Sequence, residues 1–504
     1  MQKFLNLLVV LLVFLVFSCS SSKTPENESD VLPDIDTDSQ DSEIVDEDSD
    51  SQEAEITDDF DEKSDQDADQ DVDDEDSDDT NSVNGYKRCY DEIPDEPYEG
   101  FFASPSIEYW VKSSLGYERD YELKEEDLEK VTEIGLPFKD IRGVEKLVNL
   151  ESVTLFNTNG NIYDFTPLSK LKKLKTLRIS FSPPEERDPN EEFINMTCLD
   201  GSFSLLTNLE SVRINNTELK DVSPIGQLVN LKSLDLDKNQ IEFLPENIGN
   251  LHGLEYLTFS YNKVQNIEAI KSLTNLERLG FTNNQVEDIL PVKDMLKLII
   301  INFSNNNILD ITVVENFTKL ESLVANNNKI KMLPDFQRLG KLQRIHLSYN
   351  NISNLPELKG LDSLDELWIG SNDLSDDDFL KLKELNSVRI LDVSFNKLTK
   401  VPISKNLKSL EKLYLVGNNI CDVTGFSDND SFPVLERLDL GENKIDNAEA
   451  FRKREGLVEL LINKNCIKDL SPLEELKERG THVGGMNEQL ESCEDITTIF
   501  KDGE

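Results

Sequence analysis

Histidine is scarce in this chain, and none of its histidines stands in a pattern typical of catalysis. The 504 residues contain only His252, His346 and His482. The sequence has no H-E-x-x-H spacing for zinc, no G-x-S-x-G nucleophile turn and no glycine-rich phosphate loop. We therefore expect no enzyme activity, no metal site and no cofactor.

Positive charge is also in short supply. The chain has 52 Lys and Arg against 100 Asp and Glu, which gives a formal net charge of -48. A nucleic-acid-binding surface needs a basic face, and an acidic chain is repelled by anionic membrane surfaces. The composition therefore excludes nucleic acid as a partner and also excludes electrostatic attraction to a membrane surface.

Cysteines are few, and the six in the chain form no C-x-x-C pair, which argues against a zinc site. In an exported chain, cysteines are typically used for disulfides. Spacing alone does not fix their connectivity. We expect one bridge between Cys466 and Cys493 near the C-terminus and another between Cys89 and Cys198 near the N-terminus, with one thiol left over.

Long apolar runs are missing except at the N-terminus, where residues 4–17 are almost entirely apolar after Lys3. This run has the length of a signal-peptide core and falls short of the roughly 20 residues of a membrane span. Ser18 precedes Cys19, and three serines follow it. The arrangement resembles the lipobox of bacterial lipoproteins, which implies cleavage before Cys19, acylation of that cysteine, and a location at the outer membrane or the cell surface. The alternative is an uncleaved N-terminal anchor, and either alternative attaches the chain to a membrane.

The segment that follows is acidic and of low complexity. Residues 23–84 hold 28 Asp and Glu but only Lys23 and Lys63, a net charge of -26. Such a segment buries too little apolar surface to offset its ordering entropy, and its like charges extend it. A calcium loop is the competing interpretation, because Asp65, Asp67, Asp69 and Asp71 alternate, but Gln70 stands where such a loop needs glycine. We therefore assign residues 20–85 to a solvated, disordered tether.

Internal repeats dominate the rest of the chain. Residues 320–330, 342–352 and 364–374 each fit L-x-x-L-x-L-x-x-N-x-L, and five successive steps between residues 254 and 364 are 22 residues long. A regular period of this length is typical of a solenoid. Segments in this register begin at residues 131, 150, 174, 209, 231, 254, 276, 298, 320, 342, 364, 388, 410, 435 and 457.

The pattern has a direct physical interpretation. The L-x-L core predicts a short strand with two inward apolar side chains, and strands of successive repeats pair in parallel about 4.8 Å apart. The chain then turns, and the backbone groups buried in that turn need hydrogen-bond partners. A side-chain amide donates and accepts at once, so we expect the asparagine at position nine of each repeat to satisfy the turn. This column contains Asn239, Asn262, Asn284, Asn306, Asn328, Asn350, Asn372, Asn396, Asn418, Asn443 and Asn465.

The 22-residue period, the D-L-x-x-V-T-x-I sequence at 127–134 and the helical pattern before it resemble bacterial internalin-like proteins with SDS22-type leucine-rich repeats. The resemblance covers residues 104–485. It implies an α/β solenoid, a leucine-rich-repeat horseshoe with a parallel concave β-sheet, short helices or 3₁₀ turns on the convex side and a helical N-terminal cap. We expect the cap at 86–130, about fifteen repeats at 131–477 and a C-terminal cap or tail at 478–504.

One repeat departs from the period. The repeat that begins at residue 174 is 35 residues long because of an insertion at roughly 182–204, which contains three prolines and Cys198. This insertion is either a plain surface loop, pinned by Cys198, or a recognition loop.

The concave face is the natural place for binding, because positions three, five, seven and eight of each repeat point outward there. Most of these residues are small, but large and charged side chains concentrate in the later repeats. An exposed Trp and Tyr flanked by Arg is typical of an interface hot spot. We define this concave patch as Arg344, His346, Tyr349, Trp368, Asp392, Lys412, Tyr414 and Arg437.

We expect the chain to act as a monomer that binds a protein partner through the concave patch, in the manner of an adhesin or receptor. Two alternatives remain open, a glycan-binding module and a structural scaffold of the cell envelope. A smaller candidate area on the same face combines Tyr256, Tyr261 and Arg278.

Overall fold

The computed structural model describes residues 98–136, 140–156, 164–181, 196–401 and 407–493. It also gives the backbone of two short antiparallel strands, β1 (Ser82–Val83) and β2 (Tyr86–Lys87). Cys19, residues 20–81 and Cys89 lie outside the described residues, whereas β1 falls within the last residues of the segment 20–85 that the sequence predicts to be a disordered tether.

The described part of the chain forms one sheet of sixteen strands in strict sequence order, and every neighbouring pair is parallel. The structure confirms the predicted leucine-rich-repeat solenoid and adds one strand beyond the fifteen expected. The strands are β3 (Glu133–Leu136), β4 (Ser152–Phe156), β5 (Thr176–Ser180), β6 (Ser211–Asn215), β7 (Ser233–Asp235), β8 (Tyr256–Thr258), β9 (Arg278–Gly280), β10 (Ile300–Asn302), β11 (Ser322–Val324), β12 (Arg344–His346), β13 (Glu366–Trp368), β14 (Ile390–Asp392), β15 (Lys412–Tyr414), β16 (Arg437–Asp439), β17 (Glu459–Leu461) and β18 (His482–Gly484).

The returning half of each repeat is short and mostly 3₁₀, as the sequence predicts. The α-helices are α1 (Pro105–Ser114), α2 (Glu125–Leu128), α3 (Thr166–Ser169), α4 (Asp376–Lys381) and α5 (Ser471–Glu478). The 3₁₀ turns are Val144–Lys146, Gly201–Leu205, Ser223–Gln227, Glu246–Asn250, Glu268–Ile270, Leu290–Val292, Thr312–Asn316, Phe336–Arg338, Leu382–Glu384, Thr424–Phe426 and Glu449–Phe451.

The core is a continuous column of side chains from positions one, four and six of successive repeats. In the repeat that begins at residue 320, Leu320, Leu323 and Ala325 are fully buried. Three neighbouring repeats place phenylalanine at position six, and the rings of Phe259, Phe281 and Phe303 stack with centroids 5.5 and 5.7 Å apart. Each repeat therefore completes its core only through the repeats on either side.

The asparagine column forms the hydrogen bonds expected of it. The Asn306 amide nitrogen donates to the carbonyls of Phe281, Phe303 and Ser304 at 2.9, 3.0 and 3.2 Å, and its oxygen accepts from the backbone of Val286 at 3.0 Å. Two of these four bonds reach back into the preceding repeat. The column thus satisfies buried turns and also ties each repeat to the previous one.

The backbone at position eight has a conformational constraint that the repeat pattern alone did not predict. The residue there has a positive φ in repeat after repeat, as in Asn283 (φ 54°), Asn305 (φ 56°) and Asn327 (φ 52°). Asparagine tolerates this left-handed conformation better than most residues. Bulky residues occupy the same position in other repeats, among them Tyr261, Tyr349 and Phe395, with φ of 56°, 58° and 51°.

The N-terminal end of the core is covered by α1 and α2. Ile107 and Val111 of α1 are fully buried. The fully buried carboxylate of Asp127 accepts hydrogen bonds from Lys130 Nζ at 2.8 Å, the backbone of Lys124 at 3.0 Å and the Tyr117 hydroxyl at 3.0 Å. The bond from Lys130 holds the pKa of Asp127 far below its ordinary value. This network ties α2 to the segments of chain that precede and follow it.

The C-terminal end closes with a substitute for the asparagine column. Gln489 donates to the Ile462 carbonyl at 2.8 Å and accepts from the Ile467 backbone at 3.3 Å, the two groups that a further asparagine would bind. A disulfide joins Cys466 and Cys493, with their Cα atoms 5.4 Å apart, and this is the pairing that the sequence analysis expects. The strand β18 lies within the segment that the sequence analysis assigns to the tail, so the sheet extends past residue 477.

The predicted insertion at 182–204 is only partly loop. Residues 182–195 lie outside the described residues, but Met196, Leu199 and Phe203 are buried in the core. The second half of the insertion therefore belongs to the solenoid. Cys198 is disulfide-bonded, and Cys89, its expected partner, lies outside the described residues.

We predict that Asn306→Leu destabilises the protein by about 2–4 kcal/mol, because the buried N–H of Val286 loses its acceptor. Three buried carbonyls also lose one of their two donors. Thermal or urea unfolding followed by circular dichroism measures this. The matched control is Asn316→Ala at an exposed asparagine with one backbone bond, which should cost less than about 1 kcal/mol. Equal losses in the two variants would contradict the role assigned to the column.

Candidate partner-binding face

The strand register brings the central residues of the concave patch side by side. His346 pairs with Trp368, Trp368 with Asp392, and Asp392 with Tyr414, on strands β12 to β15. All four occupy position five, whose side chains rise from the concave surface. The patch is therefore continuous across four neighbouring repeats, as the sequence analysis predicts.

The aromatic side chains of the patch contact one another. The rings of His346 and Trp368 lie 5.8 Å apart and are tilted, and those of Trp368 and Tyr414 are stacked at 5.9 Å. Trp368 and Tyr414 are two strands apart, roughly 9.6 Å at the backbone. Their rings therefore lean toward each other above the shorter side chain of Asp392.

Glu366 holds the N-terminal part of this aromatic group in place. Its Oε2 accepts from Trp368 Nε1 at 3.3 Å and lies 3.5 Å from His346 Nε2. Burial lowers the pKa of His346, although Glu366 opposes this shift, so the imidazole is neutral at pH 7. The ring thus adds apolar and hydrogen-bonding surface to the patch rather than charge.

Asp392 sits beneath the aromatic pair as a largely covered carboxylate. Its side chain accepts from the Ser394 backbone at 2.8 Å. Burial raises the pKa of Asp392, and the hydrogen bonds from Ser394 only partly offset this. The residue therefore supports the floor of the patch more than it contributes exposed negative charge.

Two cations of the patch have no carboxylate partner among the described residues, Arg344 and Lys412. By contrast, Arg437 Nε lies 2.6 Å from Glu459 Oε2, so its charge is compensated. The patch therefore presents two unpaired positive charges beside an aromatic surface, on a chain whose net charge is -48.

The rim of the patch is formed by position eight, where the backbone is left-handed. Tyr349 is 59% exposed and Phe395 is 42% exposed. The Phe395 ring lies over Gly417, the next residue in this row, where a Cβ atom would come within 2.4 Å of it. Gly417 itself has φ +64°, so glycine meets both demands at this point. At Tyr349 and Phe395 this left-handed position carries exposed aromatic rings.

Trp368 and Tyr414 are less exposed than the sequence pattern predicts. Both are partly buried because they pack against each other. The exposed aromatic surface lies instead at Tyr349 and Phe395. Asparagine recurs at position eight in other repeats, and this recurrence was the signal that could have indicated a left-handed backbone at that position.

The smaller candidate area around Tyr256 and Arg278 is assembled on adjacent strands, where the two residues pair directly. Nearby, Asp237 accepts from the Thr258 hydroxyl and the Ser260 backbone, both at 2.6 Å. Burial raises the pKa of Asp237 to about 6, and the neighbouring Asp235 contributes in the same direction. This area is more acidic and more polar than the concave patch.

No metal site or membrane span is present in the described ranges. Across residues 98–493, apart from the gaps stated above, no group of three or more His, Cys, Asp or Glu side chains is placed to hold a metal ion. In the same residues, no helix is both long enough and apolar enough to cross a membrane.

Comparison with known families identifies the repeats. Residues 229–286 match the family model described as leucine rich repeat, and residues 207–249 and 386–428 match the model described as leucine rich repeats in two copies. Among curated proteins, the adenylate cyclase of Schizosaccharomyces pombe is 29% identical over 150 residues. That match covers 27% of this chain and only 9% of the cyclase.

Solved structures with the same fold include proteins from bacteria. An internalin of Listeria monocytogenes is 25% identical, with a TM-score of 0.52, and the match covers 76% of this chain and 95% of the internalin. A leucine-rich-repeat protein of Leptospira interrogans is 21% identical, with a TM-score of 0.57, and the match covers 71% of this chain and 97% of that protein. The chain is thus a leucine-rich-repeat protein with internalin-like structural neighbours.

The raised pKa of Asp237 predicts a pH dependence of stability. The native state binds this proton more tightly than the unfolded chain, so the resulting stabilisation is complete below about pH 4 and is lost as the pH rises through about 6. Asp237→Asn should therefore match the wild type at pH 4 and exceed its unfolding free energy by about 1 kcal/mol at pH 7.5. Urea unfolding at both pH values tests this, with exposed Asp294→Asn as the control, and a difference that does not change with pH would contradict it.

Left-handed backbone at an exposed tyrosine predicts a stabilising substitution. Tyr349→Asn should raise the unfolding free energy by about 0.5–1 kcal/mol, because asparagine tolerates a positive φ and little packing is lost. The reciprocal variant Asn327→Tyr, at the same position of the preceding repeat, should lose a similar amount. Denaturant midpoints of the two variants test the pair, and a destabilised Tyr349→Asn protein would show that the tyrosine is structural.

Proposed function

We propose that this chain is exported, anchored through a lipid on Cys19, and binds a protein partner through the concave patch. The acidic segment 20–85 would then act as a tether that displays the solenoid away from the membrane. Under this proposal the chain works as an adhesin or receptor and performs no catalysis.

The observation that carries the proposal is the aromatic cluster on β12 to β15. Other strands of the same face hold small or polar residues at position five, such as Thr258, Gly280 and Asn302. Trp368, Tyr414 and His346 replace these in neighbouring repeats and contact one another. Aromatic residues that gather in one exposed area are typical of the centre of a protein interface.

The exposed rings at the rim of the concave patch and its unpaired positive charges indicate what kind of partner surface would bind there. Tyr349 and Phe395 keep rings exposed although their backbone would favour asparagine, so their presence costs stability. The unpaired Arg344 and Lys412 favour a partner whose contact surface is apolar at the centre and carries carboxylates at the edge. Both features fit a folded protein surface.

The neighbours support the location of the chain. Internalin-like proteins are found among the structures that share the fold, and such neighbours favour a surface or secreted protein. The lipobox-like sequence ending at Cys19 adds the means of attachment, and metabolic labelling with a clickable fatty acid, lost in Cys19→Ala, would test it.

The partner-binding proposal is tested with the full chain as bait. We expect it to capture a protein whose purified form binds the wild-type chain, and Trp368→Ala/Tyr414→Ala to weaken that affinity at least about thirtyfold, the effect of a hot spot of about 2 kcal/mol. The control Tyr256→Ala/Tyr261→Ala removes two aromatic residues from another part of the same face and should leave the affinity unchanged. Circular dichroism melting verifies that both variants fold.

Two results would count against the proposal. If the captured partner binds the Trp368→Ala/Tyr414→Ala variant with wild-type affinity, the contact lies outside the concave patch. If the chain binds no protein but retains an envelope polysaccharide in an array, and loses it in the same variant, the patch recognises a glycan.

A further inference from the structure

A second feature of the concave face lies far from the concave patch. Arg178 on β5 and Arg213 on β6 are direct register partners at position five. Like charges placed directly opposite each other on neighbouring strands destabilise a sheet. A chain with a net charge of -48 nevertheless keeps two guanidinium groups side by side here.

Only one of the two charges is compensated. Arg213 Nε lies 2.7 Å from Asp235 Oδ2, whose carboxylate also accepts from Asn215 Nδ2 at 3.3 Å. Arg178 donates to the Ser152 hydroxyl at 3.3 Å and meets no carboxylate within ion-pair distance among the described residues. Burial and the proximity of Arg213 lower the pKa of Arg178, and the negative charge of Glu133 partly opposes them.

The surroundings offer further hydrogen-bonding groups. Ser152, Thr176 and Ser211 stand in register at position three of β4, β5 and β6, beside the arginines. The side-chain oxygen of Asn215 is buried and accepts no hydrogen bond within the described part of the chain. The site therefore lacks one anion opposite Arg178 and one N–H donor opposite Asn215.

We propose that Arg178, together with Arg213 and Asn215, forms a binding site for a carboxylate of a peptide, with an adjacent peptide N–H donating to Asn215. The planar guanidinium matches a carboxylate through two parallel hydrogen bonds. Since Asp235 neutralises Arg213 and the nearby Glu133 offsets part of the charge of Arg178, the site suits a monoanion better than a phosphate dianion. The acidity of the whole chain repels polyanions and leaves a single carboxylate as the ligand.

The site goes beyond the concave patch and can be tested separately. Seven inter-strand spacings separate β5 from β12, roughly 34 Å along the sheet. One partner that spans both areas would need a carboxylate at this distance from its aromatic contact. That geometry rests on the proposed function, whereas carboxylate binding at Arg178 does not.

The experiment uses the full chain and three small probes at matched ionic strength. N-acetylglycine represents a C-terminal carboxylate, acetyl-aspartyl methylamide represents an acidic side chain, and inorganic phosphate represents a dianion. Saturation-transfer nuclear magnetic resonance titrations give the Kd of the two carboxylate probes, and phosphorus-31 linewidth titrations give that of phosphate, which has no carbon-bound protons. We expect at least one carboxylate probe to bind more tightly than phosphate, and the tighter of the two identifies the source of the ligand.

Arg178→Gln should weaken binding of that carboxylate probe at least about tenfold, the loss expected for a bidentate charge-assisted contact. Arg338→Gln removes an exposed arginine from the 3₁₀ turn Phe336–Arg338, outside the concave sheet, and should leave binding unchanged. Trp368→Ala/Tyr414→Ala should also retain probe binding, so that failure here and failure of the proposed function remain distinguishable.

A stability measurement separates a ligand site from a structural role. Without any probe, Arg178→Gln should melt at or above the wild-type temperature, because the substitution relieves the repulsion between Arg178 and Arg213. A marked fall in the melting temperature would assign Arg178 to structural support. Three results would each overturn the proposal. The first is equal probe binding by Arg178→Gln and the wild type, and the second is tighter binding of phosphate than of either carboxylate probe. The third is no binding of any probe at 100 mM, which is roughly tenfold above the Kd expected of a single ion pair.

Discussion

The structure depends on how the backbone N–H and C=O groups find hydrogen-bond partners where the chain leaves each strand. That turn is buried, and the asparagine at position nine provides its missing donors and acceptor. Because Asn306 binds groups in two repeats at once, it fixes the register between them as well as the turn. The same turn forces position eight into a left-handed conformation. The alignment of residues across the concave face is a consequence of this hydrogen bonding repeated along the chain.

Much of this could be predicted from the sequence because the repeat is nearly regular. A strand position recurs wherever the L-x-L core recurs, so His346, Trp368, Asp392 and Tyr414 could be placed side by side before the structure was known. What the pattern could not predict depends on side-chain conformation. The lean of Trp368 and Tyr414 over Asp392, which covers all three, follows from rotamers and neighbouring volumes. The adjacency of Arg178 and Arg213 was readable from the same register, but small neighbours made that area look unremarkable.

The two ends were harder to predict because they abandon the repeat. Gln489 takes over hydrogen bonds that asparagine makes elsewhere, but it reaches them from a tail with no recognisable repeat pattern. At the other end, Asp127 gathers hydrogen bonds from residues of both sides of α2. These solutions are individual, since each end must cover a different set of exposed core residues. Periodicity therefore describes the interior of a solenoid better than its boundaries.

The disulfide between Cys466 and Cys493 affects the order in which the solenoid can come apart. In a stack where each repeat touches only its neighbours, fraying starts at an end and advances inward as a front. The covalent link holds the last half-repeat to the repeat before it, so a front starting there is blocked at its first step. The concave patch, on β12 to β16, lies close to this locked end. Unfolding that starts at the opposite end must disrupt most of the sheet before it reaches Trp368. The concave patch therefore lies in the part of the solenoid that unfolds last.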